Sequence, residues 1–138
     1  MTATTRYTFG TTVAQPVTQV KPRVEAALQT EGFGVLTEID VAATLKAKLG
    51  VDGRPYLILG ACNPALAHAA LEADPSIGAL LPCNVVLRED ERGNTAIEVL
   101  DPMIALSIAG DPSIAQIATE AAERLRRVVA QIARTEWS

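Results

Sequence analysis

Apolar residues recur along this chain at two different spacings, which predict a mixture of helices and strands. The most regular pattern follows Asp111-Pro112, where eight apolar residues fall within about 120° of one helical face and predict a long C-terminal helix. Those eight residues are Ile114, Ile117, Ala118, Ala121, Leu125, Val128, Val129 and Ile132. Shorter patterns of the same kind predict helices at 16–31 and 41–49, the second closed by Gly50.

Strands are predicted where apolar residues alternate with polar ones or run continuously between turn residues. The run 56–61 is continuously apolar, which is typical of a central strand buried on both faces of its sheet. The remaining predicted strands span 6–13, 34–40, 82–88 and 95–100. A charged, glycine-containing segment at 89–94 predicts that the last two strands form a hairpin.

Four dipeptides of one form mark the starts of helices or turns. In each, a good N-cap residue precedes a proline, which is favoured at the first helical position. They are Asn63-Pro64, Asp74-Pro75, Asp101-Pro102 and Asp111-Pro112. The resulting element order is β-α-β-α-β-α-β-β-α-α, with no linker, so we expect one domain over residues 1–138.

Composition narrows the class of protein. Apolar residues make up 49% of the chain, but aromatic residues only 4%, so the core must be built from Val, Ile, Leu and Ala. The net charge of −4 argues against a nucleic-acid partner. The first ten residues are polar, and no apolar run approaches the ~18–20 residues of a membrane span. We therefore expect a soluble, cytoplasmic protein with reduced cysteines and no membrane partner.

Cys62 is the first candidate for chemistry, because it ends a predicted strand just before the helix capped by Asn63. A helix N-terminus favours the thiolate form, although a small buried side chain is the alternative interpretation. Cys83 begins the next strand, so the two sulfurs approach one another if these strands are neighbours. They would then form a redox pair or half of a metal site. A structural zinc site needs four ligands, so we assign no metal and no cofactor.

Three further polar residues are candidates. Helical geometry turns His68 away from the apolar stripe of its helix, towards solvent or a partner. Asp40 lies between a strand and a helix, where an N-cap is the alternative to a binding role. Asn84 lies on an apolar strand, and on a buried sheet it would need a partner and would line a pocket. The sequence contains no phosphate-binding loop and no other catalytic motif. We make no prediction about enzymatic activity.

Four segments, in this order and spacing, resemble the domain-of-unknown-function 302 family over roughly residues 5–133. They span 31–40, 46–50, 56–64 and 80–87, and they include the motifs Gly-Ala-Cys-Asn-Pro and Leu-Leu-Pro-Cys-Asn. The resemblance implies an α+β domain, a sheet with helices packed against it in a TATA-binding-protein-like arrangement. An α/β two-layer sandwich is the alternative. It also implies a homodimer, with exchanged elements as an option. It assigns no catalytic role to its motif positions, which here are Asp40, Cys62, Asn63, Pro64, Pro82, Cys83 and Asn84.

Three functions remain as hypotheses. The first is a homodimeric small-molecule-binding domain, whose helix N-terminus at Asn63 would supply N–H donors for an anionic group. Its candidate ligand-binding residues are Cys62, Asn63, Pro64, Cys83, Asn84, Asp40 and His68. The second is a thiol-based sulfur-transfer or redox protein that uses Cys62 and Cys83. The third is a structural or interaction domain without a small-molecule site.

Overall fold

The computed structural model describes residues 4–137, which form five strands and five α-helices. The strands are β1 (Thr8–Val13), β2 (Gly34–Asp40), β3 (Tyr56–Cys62), β4 (Cys83–Glu89) and β5 (Thr95–Leu100). The helices are α1 (Val17–Thr30), α2 (Val41–Leu49), α3 (Pro64–Ala73), α4 (Pro102–Ala105) and α5 (Pro112–Ala133). Short 3-10 helices span Pro75–Leu80 and Leu106–Ala109.

The five strands form one sheet in the order β1-β5-β4-β3-β2, and every neighbouring pair is antiparallel. The predicted α+β class is therefore confirmed. β3 lies inside the sheet between β4 and β2, as predicted, although β4 is the middle strand. The prediction that β3 is buried on both faces was wrong within the chain, since Tyr56 and Ile58 are only half-buried.

One face of the sheet, here called the inner face, carries the hydrophobic core. Across it the pairing aligns Phe9, Val99, Val85 and Leu59 in one row. Apolar residues of α1 and α5 bury this row. The predicted stripe on α5 is confirmed: six of its eight residues are buried and the other two are partly buried. Because aromatic residues are few, interlocking aliphatic side chains supply most of this packing.

The opposite face, here called the outer face, presents the residues between the core rows. Its middle row aligns Ile39, Ile58, Val86, Glu98 and Gly10 across all five strands. None of these side chains belongs to either hydrophobic cluster found among residues 4–137. The outer face is thus partly apolar without being part of the core.

All four predicted Asx-Pro starts are confirmed. In each, the side-chain oxygen of the Asx residue accepts a hydrogen bond from a backbone N–H two or three residues later. The accepting residues are Asn63, Asp74, Asp101 and Asp111, which begin α3, the first 3-10 helix, α4 and α5. The proline that follows lacks an N–H, which costs nothing at this position.

Candidate functional site

The two cysteines lie together, as the sequence suggested for neighbouring strands. Cys83 begins β4 opposite Ala61, the residue before Cys62 at the end of β3. Both cysteines line a small apolar cavity of about 30 Å³ between the sheet, α3 and α5. This volume accommodates a water molecule, whereas sites for small molecules reach about 300 Å³ or more. The structure therefore brings Cys62, Asn63 and Cys83 together in a space too small for a metabolite.

The electrostatics around the cysteines favour thiols over thiolates. Burial raises the pKa of Cys62 above its usual value. Burial, with a further contribution from the neighbouring Cys62, raises the pKa of Cys83 to about 11. The start of α3 does not reverse this trend, and at neutral pH both side chains are protonated. The arrangement lacks the electropositive surroundings that activate a nucleophilic cysteine.

Asn63 connects two helices. Its Oδ1 accepts a hydrogen bond from the N–H of Leu66 at 3.2 Å, and its Nδ2 donates to the carbonyl oxygen of Glu31 at 3.4 Å. The same carbonyl accepts a second hydrogen bond from Nη1 of Arg124 at 3.1 Å. Asn63 therefore caps α3 and also holds the chain just after α1, at Glu31, which is followed by Gly32 with a φ of +82°.

The start of α3 offers few free N–H donors to an anionic ligand. Pro64 has no N–H, and the N–H of Leu66 already donates to Asn63. Pro64 itself is exposed at the first helical position. His68 is exposed further along the same helix, as its helical position predicted. These two residues do not line the cavity that holds the cysteines.

Asn84 lies on the outer face, where it pairs with Gly60 of β3 and is exposed. It lines an open apolar groove of about 420 Å³ together with residues from β2, β5, α4 and both 3-10 helices. The groove is lined by Thr37, Ile39, Ala79, Leu80, Leu81, Pro82, Asn84, Leu100, Ala105 and Ile108. Asn84 is therefore separated from Cys83 by the sheet itself, although the two are adjacent in sequence.

Asp40 lies at the other end of β2 from the cysteines. It pairs with Leu57, whereas Gly34 pairs with Cys62, so the two sites are roughly 20 Å apart at about 3.4 Å per residue. The carboxylate of Asp40 accepts a hydrogen bond from the N–H of Ala43 at 2.9 Å, so Asp40 is the N-cap of α2. It also lines a second open cleft.

This cleft, of about 340 Å³, falls in the size range of small-molecule sites. Sequence reasoning found only Asp40 among its polar side chains. It missed Lys21, Glu38, Tyr56 and Glu89, which come from α1, β2, β3 and β4. Nζ of Lys21 lies 2.6 Å from Oε1 of Glu38, and this hydrogen bond raises the pKa of Lys21. No local sequence signal links these positions, because only the folded sheet brings its strand ends together.

The fold and these surfaces define a small α+β domain whose antiparallel sheet has one covered face and one open face. Its sequence matches the family described as "Domain of unknown function DUF302" over residues 9–132, so the chain belongs to that family. The chain is similar to the crystal structure of an uncharacterized conserved DUF302 protein from Bacillus stearothermophilus. The two share 30% sequence identity with a TM-score of 0.85, over 92% of this chain and 98% of that one.

No curated protein matches the chain. The family resemblance drawn from the four sequence segments is thus confirmed, and the matched range lies within the expected 5–133. Within residues 4–137, no helix combines the length and the apolar character needed to cross a membrane.

Proposed function

We propose that this protein is an interaction domain that forms a homodimer through the outer face of its sheet. The observation that carries the proposal is the apolar groove on that face. Ile39 is 50% exposed and Ile108 is 77% exposed, and both line the groove. Large aliphatic side chains that are exposed together in a groove are a feature of protein interaction sites.

Exposed aliphatic side chains supply apolar surface for such an interface. Six of them, on β2, on α2 and the loop after it, and on the second 3-10 helix, are between 41% and 77% exposed. They are Leu36, Ile39, Leu45, Leu49, Val51 and Ile108. Burying them between two copies removes apolar surface from water in both.

The polar residues of the outer face are compatible with burial in an interface. Glu98 lies next to Val86 in the middle row of the outer face. Its carboxylate lies 2.6 Å from Nε of Arg88 on the neighbouring strand. Because this pair is formed within one chain, covering it leaves no unpaired charge. Thr37 and Asn84 are the polar residues that line the groove, and a symmetric partner can offer Asn84 an amide of the same kind.

Analytical ultracentrifugation over a range of protein concentrations tests the homodimer. We expect a mass of twice 14.6 kDa for the unmodified protein and of 14.6 kDa for the double variant Ile39→Asp/Ile108→Asp. The matched control is Leu71→Asp, because Leu71 is 42% exposed on α3 and does not line the groove. This control should remain a dimer. A monomeric unmodified protein at ~100 μM, or a double variant that still dimerises, would contradict the proposal.

Small-molecule binding is a second candidate, and the cleft beside Asp40 is the observation that favours it. Three carboxylates and one ammonium group line this cleft, together with the ring of Tyr56. That combination favours a cationic organic ligand rather than the anionic one expected at Asn63. Thermal shifts with spermidine and with citrate distinguish the two charges. We expect a shift with spermidine alone, reduced by Glu89→Gln, and equal shifts with both probes would exclude this site.

A further inference from the structure

One segment of the chain contributes no side chain to either hydrophobic cluster of the described residues. Residues 43–55, here called the arm, comprise most of α2 and the loop that leads to β3, and all of them are exposed. Leu49 is 70% exposed, more than any other leucine or isoleucine except Ile108. The arm contains three large aliphatic residues, at positions 45, 49 and 51.

α2, which supplies the first part of the arm, is nevertheless a regular helix. Asp40 caps its start, and Gly50 ends it with a φ of +69°. Val41, Leu45 and Leu49 recur every four residues and form an apolar stripe along it. A helix of nine residues has marginal stability in water unless its apolar side packs against something. Val41 of the stripe is half-buried and no residue of α2 is fully buried, so Leu45 and Leu49 are left uncovered by their own chain.

We propose that the arm of each copy packs its apolar stripe into the outer-face groove of the other copy. The inference rests on the homodimer proposed above and names the segments that form it. Within one chain, no residue of the arm lines that groove. Ile108 in the groove and Leu49 in the arm are the two most exposed of the leucine and isoleucine side chains in the described part of the chain.

Charge favours a second copy as the occupant of the groove. The arm carries Lys46, Lys48 and Arg54 against Asp52, a net charge of +2. The whole chain carries −4, so the remainder of the chain carries −6. Two like-charged chains repel one another on approach, but an arm of opposite sign laid on the partner's body offsets that repulsion.

The position of the arm suits a two-fold arrangement. Ile39 lines the groove, and α2 begins only two residues later at Val41. The arm therefore begins beside the groove of its own chain. When the outer faces of two copies approach about a two-fold axis, each arm starts beside the partner's groove, and both contacts form together.

Disulfide cross-linking between two different single-cysteine proteins tests the arm directly. In a Cys62→Ser/Cys83→Ser background, one protein carries Leu49→Cys and the other carries Ile108→Cys. They are mixed, exchanged and oxidised by air with a copper catalyst, so that two thiols lose two protons and two electrons to oxygen. Mass spectrometry then counts the mixed dimers. We expect the 49–108 cross-link to exceed by at least ~10-fold the one formed when Leu71→Cys replaces Ile108→Cys.

A measurement in the native-cysteine protein supports the test if the serine background folds poorly. Leu45→Ser/Leu49→Ser removes the stripe at exposed positions, and we expect it to raise the dimer dissociation constant at least ~10-fold. A dimer that forms without the 49–108 cross-link, or whose dissociation constant is unchanged by these two serines, would overturn the arm contact and leave the homodimer standing. An unmodified protein that stays monomeric would overturn both.

Discussion

The two faces of the sheet are equally regular in sequence but differ in what covers them. On the inner face, Leu59 and Leu87 are fully buried by α1 and α5. On the outer face, Ile58 and Val86 lie in corresponding positions of the same strands and are only half-buried. An apolar residue at every second position therefore predicts a buried face. It does not indicate whether the same chain or another molecule buries that face.

This difference explains why the continuous apolar run in β3 misled the prediction of its burial. Such runs are typical of strands covered on both faces. Here one face is covered by helices of the same chain, and the proposed dimer would cover the other. The pattern is then consistent with burial on both sides, with the second layer supplied by another molecule.

The largest expected contrast between the faces is in folding stability. Leu125→Ala empties a fully buried position on α5, and we expect it to lower the free energy of unfolding by about 2–5 kcal/mol at any protein concentration. Ile39→Ala on the outer face should cost less than about 1 kcal/mol in dilute protein, and more as the concentration rises into the dimer range. Urea unfolding at several protein concentrations measures both. Equal losses in dilute protein would remove the distinction between the faces.

A second contrast is expected between the alkylation rates of a thiol at position 83 and one at position 84. The side chain of Cys83 packs against the core, whereas that of its neighbour Asn84 lies on the outer face. With a pKa of about 11, Cys83 is almost entirely protonated at pH 7.5. We expect iodoacetamide to modify it about 100-fold more slowly in the folded protein than in urea. An Asn84→Cys variant with both native cysteines replaced by serine, measured in dilute protein, should show little protection. Fast alkylation of native Cys83 would revive the thiol hypothesis.

Local features of the fold could be predicted from the sequence because their physics is local. An Asx-Pro dipeptide produces a cap from residues two or three apart, which is why all four starts were correct. The stripe on α5 was equally readable, since its period identifies the buried side. Nothing comparable identifies the strand order, which depends on how distant segments pair.

The candidate site was harder to predict for the same reason. The sequence grouped Cys83 with Asn84 because the two residues are adjacent. Adjacent residues of a strand point to opposite faces, however, so the sheet separates their side chains. Asp40 was joined to the cysteines through the family motif, yet it lies at the far end of β2. The cleft beside Asp40 collects one side chain from each of several strand ends, and single positions of that kind leave no pattern in a sequence.

A third prediction concerns the polar links that fix the helices over the inner face. Asn63→Ala removes the cap of α3 and the bond to Glu31, so we expect a loss of about 2 kcal/mol in the free energy of unfolding. Asn63→Asp keeps the capping oxygen but not the donor to Glu31, and should lose about half as much. Asp111→Ala, which removes a cap alone, is the control at about 1 kcal/mol. If Asn63→Ala costs no more than Asp111→Ala, the link to α1 contributes nothing to stability.

The smallest expected effect is a pH-dependent contact within the same helical layer. Arg127 on α5 donates hydrogen bonds from Nε and Nη2 to the carboxylate of Glu31 at 3.1 and 2.9 Å, which lowers the pKa of Glu31 below its usual 4.5. The contribution to stability is therefore complete above pH 4.5 and is lost as the pH falls through the lowered value. Because Arg127 is exposed, we expect Glu31→Gln to lower the free energy of unfolding only slightly at pH 7, and by less at pH 3. Urea unfolding at both pH values, with Arg127→Gln completing a double-mutant cycle, measures the pair. A cost that stays the same at both pH values would assign it to packing rather than to charge.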